Sequence, residues 1–498
     1  MTLTKEKYEN IANSLQYCTK AFIDGKHVDS SSGETFTTEN PATGKEIAKI
    51  TCCDERDVDR AVAAAREAFE DRRWAGLHPA ERKKILCKFA ELIDKNRDEL
   101  AVMETLDSGK PIKDTVEIDL PETINTIEWH AEAADKMDGQ LTSSGDQSIS
   151  MIVREPIGVV AAVIPWNFPM LMATWKFAPI LATGNSLIIK PAKLTTLTML
   201  RLTEFAAEAG IPDGVLNVVP GHGDVAGKAL ALHPDVDLIT FTGSTVVGKK
   251  LLEYSGQSNS KRVLLEMGGK SPSIVMPDIK DIDAAAEQLA FAIFWNMGEN
   301  CSANSRLIVH RDIKDRLIER LIEKAKEWVT GDPLDPAFNL GAMVEKPHME
   351  KVLGYIEKGK AEGAKLIYGG QQLFPDSGGY FVSPTIFDQV TPDMTIAREE
   401  IFGPVLSVLT CKDEKEAIAM ANDSEYGLHA SIYTDDLDTA HRMSRAVRAG
   451  TVSLNCYSEG DITTPFGGYK QSGFFGRDKS MLANSQYTEL KTIWIPVR

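Results

Sequence analysis

Between Val159 and Gly269 short apolar runs alternate with longer amphipathic ones. The runs VVAAVIPW, NSLIIKPA, VLNVVPG, DLITFTG and RVLLEMGG read as five strands. Between them Phe168–Gly184, Thr195–Gly210, Gly223–His233 and Thr245–Gly256 are helix-like, and most end at glycine. Five strands joined by four helices predict an α/β fold with a parallel, doubly wound sheet. Such sheets bind ligands beyond the carboxyl ends of their strands. Polar and glycine residues gather there: Trp166 and Asn167, Lys190 and Lys193, Gly221-His222-Gly223, Gly243-Ser244, then Glu266 with Gly268 and Gly269.

Beyond Lys270 the alternation resumes as a second α/β segment. A helix over Asp281–Met297 leads to Cys301, and the strand SRLIVH leads away. Helical patterns at Asp312–Trp328, Asp413–Asn422 and Thr439–Ala449 alternate with strands such as VLSVLT and TVSLN. Gln140–Arg154 and the late YTELKTIWI have strand alternation outside both segments, so their edges are open and invite pairing with another subunit. The expected organisation is a dinucleotide-binding domain (1–137 and 156–267), a catalytic domain (268–478) and a small β arm for oligomerisation (138–155 and 479–498). A homo-oligomer, dimer or tetramer, follows from that arm.

Composition narrows the class. A chain of 498 residues that is 43% hydrophobic and 26% charged can bury a large core and is no disordered segment. A net charge of −17 argues against nucleic acid or an anionic membrane as partner, since both need basic surface. Seven cysteines, odd in number and without a CxxC pair, fit a reducing compartment. MTLTKEKYEN carries no apolar signal segment, so the expected location is cytoplasmic. The uncharged stretch Ile157–Trp175 is long enough to span a bilayer, but Pro165, Asn167 and Pro169 break it into strand, turn and helix. No spacing of metal ligands stands out, so no metal is expected.

Four stretches could carry chemistry. In MGENCSANSR, Cys301 lies between polar and small residues just after Gly298, whereas a core cysteine usually has apolar company. It is placed for access; a cysteine falling in a loop by chance is the plain alternative. FTGSTVVGKK is a strand, a glycine turn and a helix start at which Ser244 can cap and free amides attract phosphate. It lacks GxGxxG, and an ordinary capped helix fits as well. IIKPAKLTT offers Lys190 and Lys193 and no carboxylate until Glu204. If a dinucleotide binds, those lysines favour NADP, with NAD as the other choice; solvated surface lysines are the alternative. LLEMGGK sets Glu266 at a strand end beside glycines, at the same junction between segments as Cys301, where clefts form.

Six motifs, PWNFP, FTGSTVVGK, LLEMGGKSP, GENCSANSR, EEIFGPV and PFGGYKQSG, occur in the order found in the aldehyde dehydrogenase superfamily, which the chain resembles over nearly its whole length. The stretch from GDITTPFGGYKQSG to YTELKTIWI is most similar to bacterial γ-glutamyl-γ-aminobutyraldehyde dehydrogenases. The resemblance implies oxidation of an aldehyde to a carboxylic acid through a cysteine thiohemiacetal and thioester, with hydride transfer to NAD(P). It implies Cys301 as nucleophile, Asn167 with the Cys301 N–H as oxyanion donors, and Glu266 as base. Trp166, Lys190, Gly243 and Ser244 would contact the adenosine and pyrophosphate, and Glu400 with Phe402 the nicotinamide ribose. Lys193 stands where NAD-preferring relatives commonly carry Glu. Phe168, Met172, Trp175 and Phe466 would line the aldehyde tunnel; apolar core is the alternative for each. Glu459 and Asp461 in CYSEGD would stand at its mouth and suit an amine-bearing aldehyde. Broad-specificity or semialdehyde oxidation, a coenzyme A-acylating enzyme, and a non-catalytic structural protein on the same fold are the competing readings.

Overall fold

The computed structural model describes residues 3–497. Its first sheet contains β1 (Val159–Val163), β2 (Ser186–Lys190), β3 (Leu216–Val218), β4 (Leu238–Thr242) and β5 (Arg262–Glu266). They run parallel in the order β3-β2-β1-β4-β5. β2 and β4 are buried throughout, which is why they read as unbroken apolar runs. Alternate residues feed opposite cores: Val160, Ala162, Leu187 and Ile189 join one, Val159, Ala161 and Ile188 the other. Pro169 opens helix α1 (Pro169–Ala182), where its missing N–H costs nothing. Helix α2 (Leu197–Ala209) ends at Gly210 with φ +106°, and Ser244 caps α3 (Thr245–Gln257). The strand order reverses between β1 and β4, which opens a crevice at their carboxyl ends.

One stretch of the first segment departs from the expected helices. Gly223–Gly227 winds as a wide π turn before the short helix Lys228–Leu232, so Gly223–His233 is not one regular helix. The first sheet also gains strands from elsewhere. Ala21–Ile23 and Lys26–Val28 extend it antiparallel beyond β3, and Gly473–Phe474 pairs antiparallel with β5. Gly473–Phe474, expected within the second segment, therefore completes the first sheet.

The second sheet holds β6 (Pro272–Val275), β7 (Arg306–His310), β8 (Thr385–Asp388), β9 (Val405–Cys411), β10 (His429–Tyr433) and β11 (Thr451–Leu454). They are parallel in the order β8-β9-β7-β6-β10-β11. Helix α4 (Ile282–Phe294) is capped by the Asp281 carboxylate, which accepts the Ala284 N–H at 2.9 Å. The expected helix to Met297 stops at Phe294, because Asn296 and Met297 take left-handed backbone at φ 51° and 56°. A third sheet is formed by Gln140–Thr142, Ser148–Pro156 and Thr488–Pro496, the last two paired over nine residues. Between the two large sheets sits a small apolar cluster of Phe168, Leu171, Met172, Trp175, Leu428 and Phe466, with Cys301 against it.

Candidate active site

The turn after α4 presents Cys301. Gly298 has φ +67°, and a Cβ there would strike the Gly403 carbonyl. Glycine thus lets the cysteine loop and the Glu400–Gly403 loop approach each other. Cys301 is a free, half-buried thiol. No partner for its backbone N–H occurs among the described residues. Asn167 is locked beside it: its Nδ2 donates to the Glu299 carbonyl at 2.9 Å, and Asn296 donates to the Asn167 carbonyl at 3.2 Å.

Cys301 lies on a wall shared by two cavities. One, about 220 Å³, is bounded by the carboxyl ends of β1, β4 and β5 through Trp166, Asn167, Thr242, Gly243, Ser244 and Gly268, and across from them by Glu400 and Phe402. The other, about 30 Å³, is lined by Phe168, Met172, Trp175, Glu266, Glu459 and Phe466. Met172 borders both. A larger cavity of about 610 Å³ near Leu106, Phe338 and Phe374 contains no residue of this constellation.

Electrostatics at the shared wall oppose ionisation at rest. Burial pushes the Cys301 thiol well up, and the Glu459, Glu400 and Glu266 carboxylates add to it. Glu266 is buried; its Oε2 accepts the Gly468 N–H at 3.2 Å and its Oε1 has no hydrogen-bond partner. Burial, then the Asp478 carboxylate, holds its carboxyl well above the usual range, against the opposing charges of Lys176 and Arg477. A Cβ on Gly467 or Gly476 would come within 2.7 or 2.8 Å of Glu266 Oε1, so two glycines keep that oxygen clear.

The larger of the two cavities at Cys301 carries groups of the kind that hold a dinucleotide. Glu400 Oε1 accepts the Gly269 N–H at 2.8 Å, which fixes the carboxylate and leaves Oε2 free for sugar hydroxyls. Trp166 packs edge-on against both His348 and Phe402, with ring centres at 5.2 and 5.3 Å. Phe402 itself is held at φ +60°, a sparsely populated conformation for a non-glycine residue. Ser244 is exposed at the start of α3, and Val246 beside it leaves 67% of its surface uncovered, an apolar shelf suited to a flat ring. Lys190 and Lys193 differ. Lys190 is buried, donates to the Pro191 carbonyl at 2.8 Å and is pushed down to about 8 by that burial. Lys193 is exposed, its ammonium 5.9 Å from the Phe36 ring centre.

The two loop acids also part company. Glu459 enters the small cavity, and its Oε1 accepts from Ser302 Oγ, Tyr457 OH (3.1 Å) and Asn300 Nδ2 (3.3 Å). Asp461 does not. It is exposed and accepts from the Thr463 N–H (2.8 Å) and Oγ1 (2.6 Å), fixing a turn outside the cavity lining. Sequence reasoning missed Lys176 and Asp478, a fully buried ion pair with Nζ–O distances of 2.9 and 2.6 Å beside Glu266. A lone lysine inside the apolar run of α1 was the available signal, since a buried charge demands a partner. It also missed Lys479, which anchors the Glu459 loop by donating to the Glu459 and Gly460 carbonyls at 3.1 Å.

Residues 27–493 match the model of the aldehyde dehydrogenase family. The chain is 53% identical over 493 residues to the aminoacetaldehyde dehydrogenase of Pseudomonas aeruginosa, covering 99% of both chains. It is 46% identical over 488 residues to an NADP/NAD-dependent aldehyde dehydrogenase of Escherichia coli, covering 98% of both. Among solved structures, the γ-glutamyl-γ-aminobutyraldehyde dehydrogenase of Burkholderia cenocepacia superposes with a TM-score of 0.97 at 53% identity over the full length of both chains.

Proposed function

The chain belongs to the aldehyde dehydrogenase family and oxidises aldehydes to carboxylic acids with NAD(P); from that premise we propose how its residues do so and which aldehydes it takes. The observation that carries the reading is the position of Cys301 on the wall common to the dinucleotide cavity and the aromatic cavity. The Cys301 thiol gives its proton to the Glu266 carboxylate, directly or through water, and on to solvent, as the sulfur attacks the aldehyde carbon; the C=O π pair moves to oxygen and a thiohemiacetal forms. Its oxygen gains negative charge within reach of Asn167 Nδ2 and the unpaired Cys301 N–H, which act as donors there. NAD(P), when bound, supplies the acceptor for the hydride that leaves the substrate carbon. Cys301 then carries the acyl group as a thioester. Glu266, with Oε1 free, takes a proton from water as the water oxygen attacks the acyl carbon, and the C–S bond breaks to release the acid and the thiolate. Sulfur serves twice, as a strong nucleophile and then as a good leaving group.

For the substrate, Glu266 serves as the base and Asp478 is paired with Lys176, which leaves Glu459, in a cavity also walled by Phe168, Trp175 and Phe466, to favour an aldehyde bearing an ammonium or γ-glutamylamino group. The relatives named for amino-aldehydes support the same class. NADP is the favoured cofactor, because exposed Lys193 can meet a 2′-phosphate, while Lys190 is committed to a backbone carbonyl. The third sheet exposes Leu490, Trp494 and Ile495, which favours a homo-oligomer. Among the described residues no helix is long and apolar enough to cross a membrane. Free thiols at all seven cysteines suit a reducing cytoplasm. The test of the substrate class is Glu459→Gln. KM should rise about tenfold or more for ω-amino-aldehydes and stay within about twofold for neutral aldehydes of equal length. An unchanged ratio between the two defeats the amino-aldehyde reading.

A further inference from the structure

Glu204 is far in the chain from Cys18 and His27, yet the fold brings a sulfur, an imidazole nitrogen and a carboxylate oxygen within 4.8 Å of one another. Cys18 comes from the loop before Ala21–Ile23, His27 from the strand Lys26–Val28, and Glu204 from α2. Cys18 Sγ lies 3.2 Å from His27 Nδ1 and 3.9 Å from Nε2, and His27 Nε2 lies 4.0 Å from Glu204 Oε1. We propose that Cys18, His27 and Glu204 form a binding site for a Zn²⁺-class divalent ion, separate from the catalytic cleft.

The spacing and the donor set both fit. Zn–N, Zn–O and Zn–S bonds of roughly 2.0–2.3 Å put tetrahedral ligand atoms somewhat under 4 Å apart. Sulfur, nitrogen and oxygen together select borderline-soft ions such as Zn²⁺ or Co²⁺ over Mg²⁺ or Ca²⁺. Charge fits too. With Cys18 as thiolate, Glu99 and Glu204 bring the local negative charge to three against Arg201, which ion-pairs with both carboxylates. A divalent cation balances the remainder. A cavity of about 370 Å³ opens onto Cys18, Glu99, Arg201 and Glu204, so a water can reach the fourth coordination position. The metal takes the sulfur as thiolate, so binding must release the Cys18 thiol proton. The ion would fasten the N-terminal segment and its edge strand to α2 and hence to the first sheet.

The test uses the full-length protein, stripped of metal under reducing conditions and titrated with Co²⁺. A thiolate-to-cobalt charge-transfer band should saturate at one ion per chain and be displaced by Zn²⁺. It should disappear in Cys18→Ser and persist in Cys301→Ser. In Glu204→Gln, which keeps the thiol and the imidazole, Co²⁺ should bind at least about tenfold more weakly. Zn²⁺ should raise the melting temperature of the parent protein and leave that of His27→Asn unmoved. The proposal fails if the band is absent from the parent, survives in Cys18→Ser, or is lost in Cys301→Ser. If Cys18→Ser does not fold, unchanged Co²⁺ affinity in Glu204→Gln overturns it.

Discussion

Glu266 works against its own environment. As the proposed base it must be deprotonated to activate water, yet burial and the Asp478 carboxylate hold its proton on. A base whose pKa is raised loses activity as pH falls through that raised value, so the acyl-hydrolysis rate should still climb with pH well above the range in which an ordinary carboxyl ionises. Asp478→Asn removes the repelling charge and frees Lys176 to face Glu266, and both changes lower the Glu266 pKa. The acid limb of kcat should therefore move to lower pH, and stopped-flow hydrolysis of the acyl-enzyme would show it; an unmoved limb rules out the coupling. Lys193 offers a second residue-scale test. Lys193→Glu should cut kcat/KM with NADP by about tenfold or more and leave NAD within a few-fold. A parent enzyme that already prefers NAD strongly contradicts the NADP reading. Residues whose neighbours in sequence announce them, such as Cys301 and Glu266, were legible. Lys176 and Asp478 were not, because their meaning lies in a contact across 302 residues.

At the scale of elements, the apolar runs of the first sheet were legible because a parallel strand covered on both faces has no polar alternation to blur it. What patterning could not show is where a helix breaks through backbone conformation alone. α4 was expected to reach Met297 and stops at Phe294, because Asn296 and Met297 turn left-handed just before Cys301. That turn depends on Gly298. Gly298→Ala strains a positive φ and pushes a methyl group into the Gly403 carbonyl, so the cysteine loop and the Glu400–Phe402 loop cannot both keep their places. Misplacing a reacting group by about 1 Å can cost about 10²-fold, and kcat/KM should fall by that order while the far-ultraviolet circular dichroism is retained. Full activity in this variant would show that the turn does not set the geometry. The expected pair of loop acids was likewise split by local structure. Asp461 spends its carboxylate on the Thr463 turn, and Glu459 alone enters the cavity.

For the whole molecule, charge and composition argue against nucleic acid and an anionic membrane as partners but could not reveal how the chain returns on itself. The third sheet leaves Trp494 61% exposed, with Leu490 on the same face, on a strand whose partner Ser148–Pro156 belongs to a distant part of the chain. If that face seats a second copy, Trp494→Lys should lower the mass seen by light scattering to a smaller assembly. An unchanged oligomer places the contact elsewhere, and a monomeric parent removes the proposal.

The pairing of Gly473–Phe474 with β5 bears on how the protein is born. A ribosome finishes Glu266 roughly two hundred residues before it makes Gly473, an interval of about 10–40 s at ordinary synthesis speeds. Throughout it the nascent first lobe carries a raw flank of unmated amides and carbonyls. Sealing that flank is among the last acts of translation, so a message broken a few dozen codons early yields a nearly complete polypeptide that sticks to its siblings.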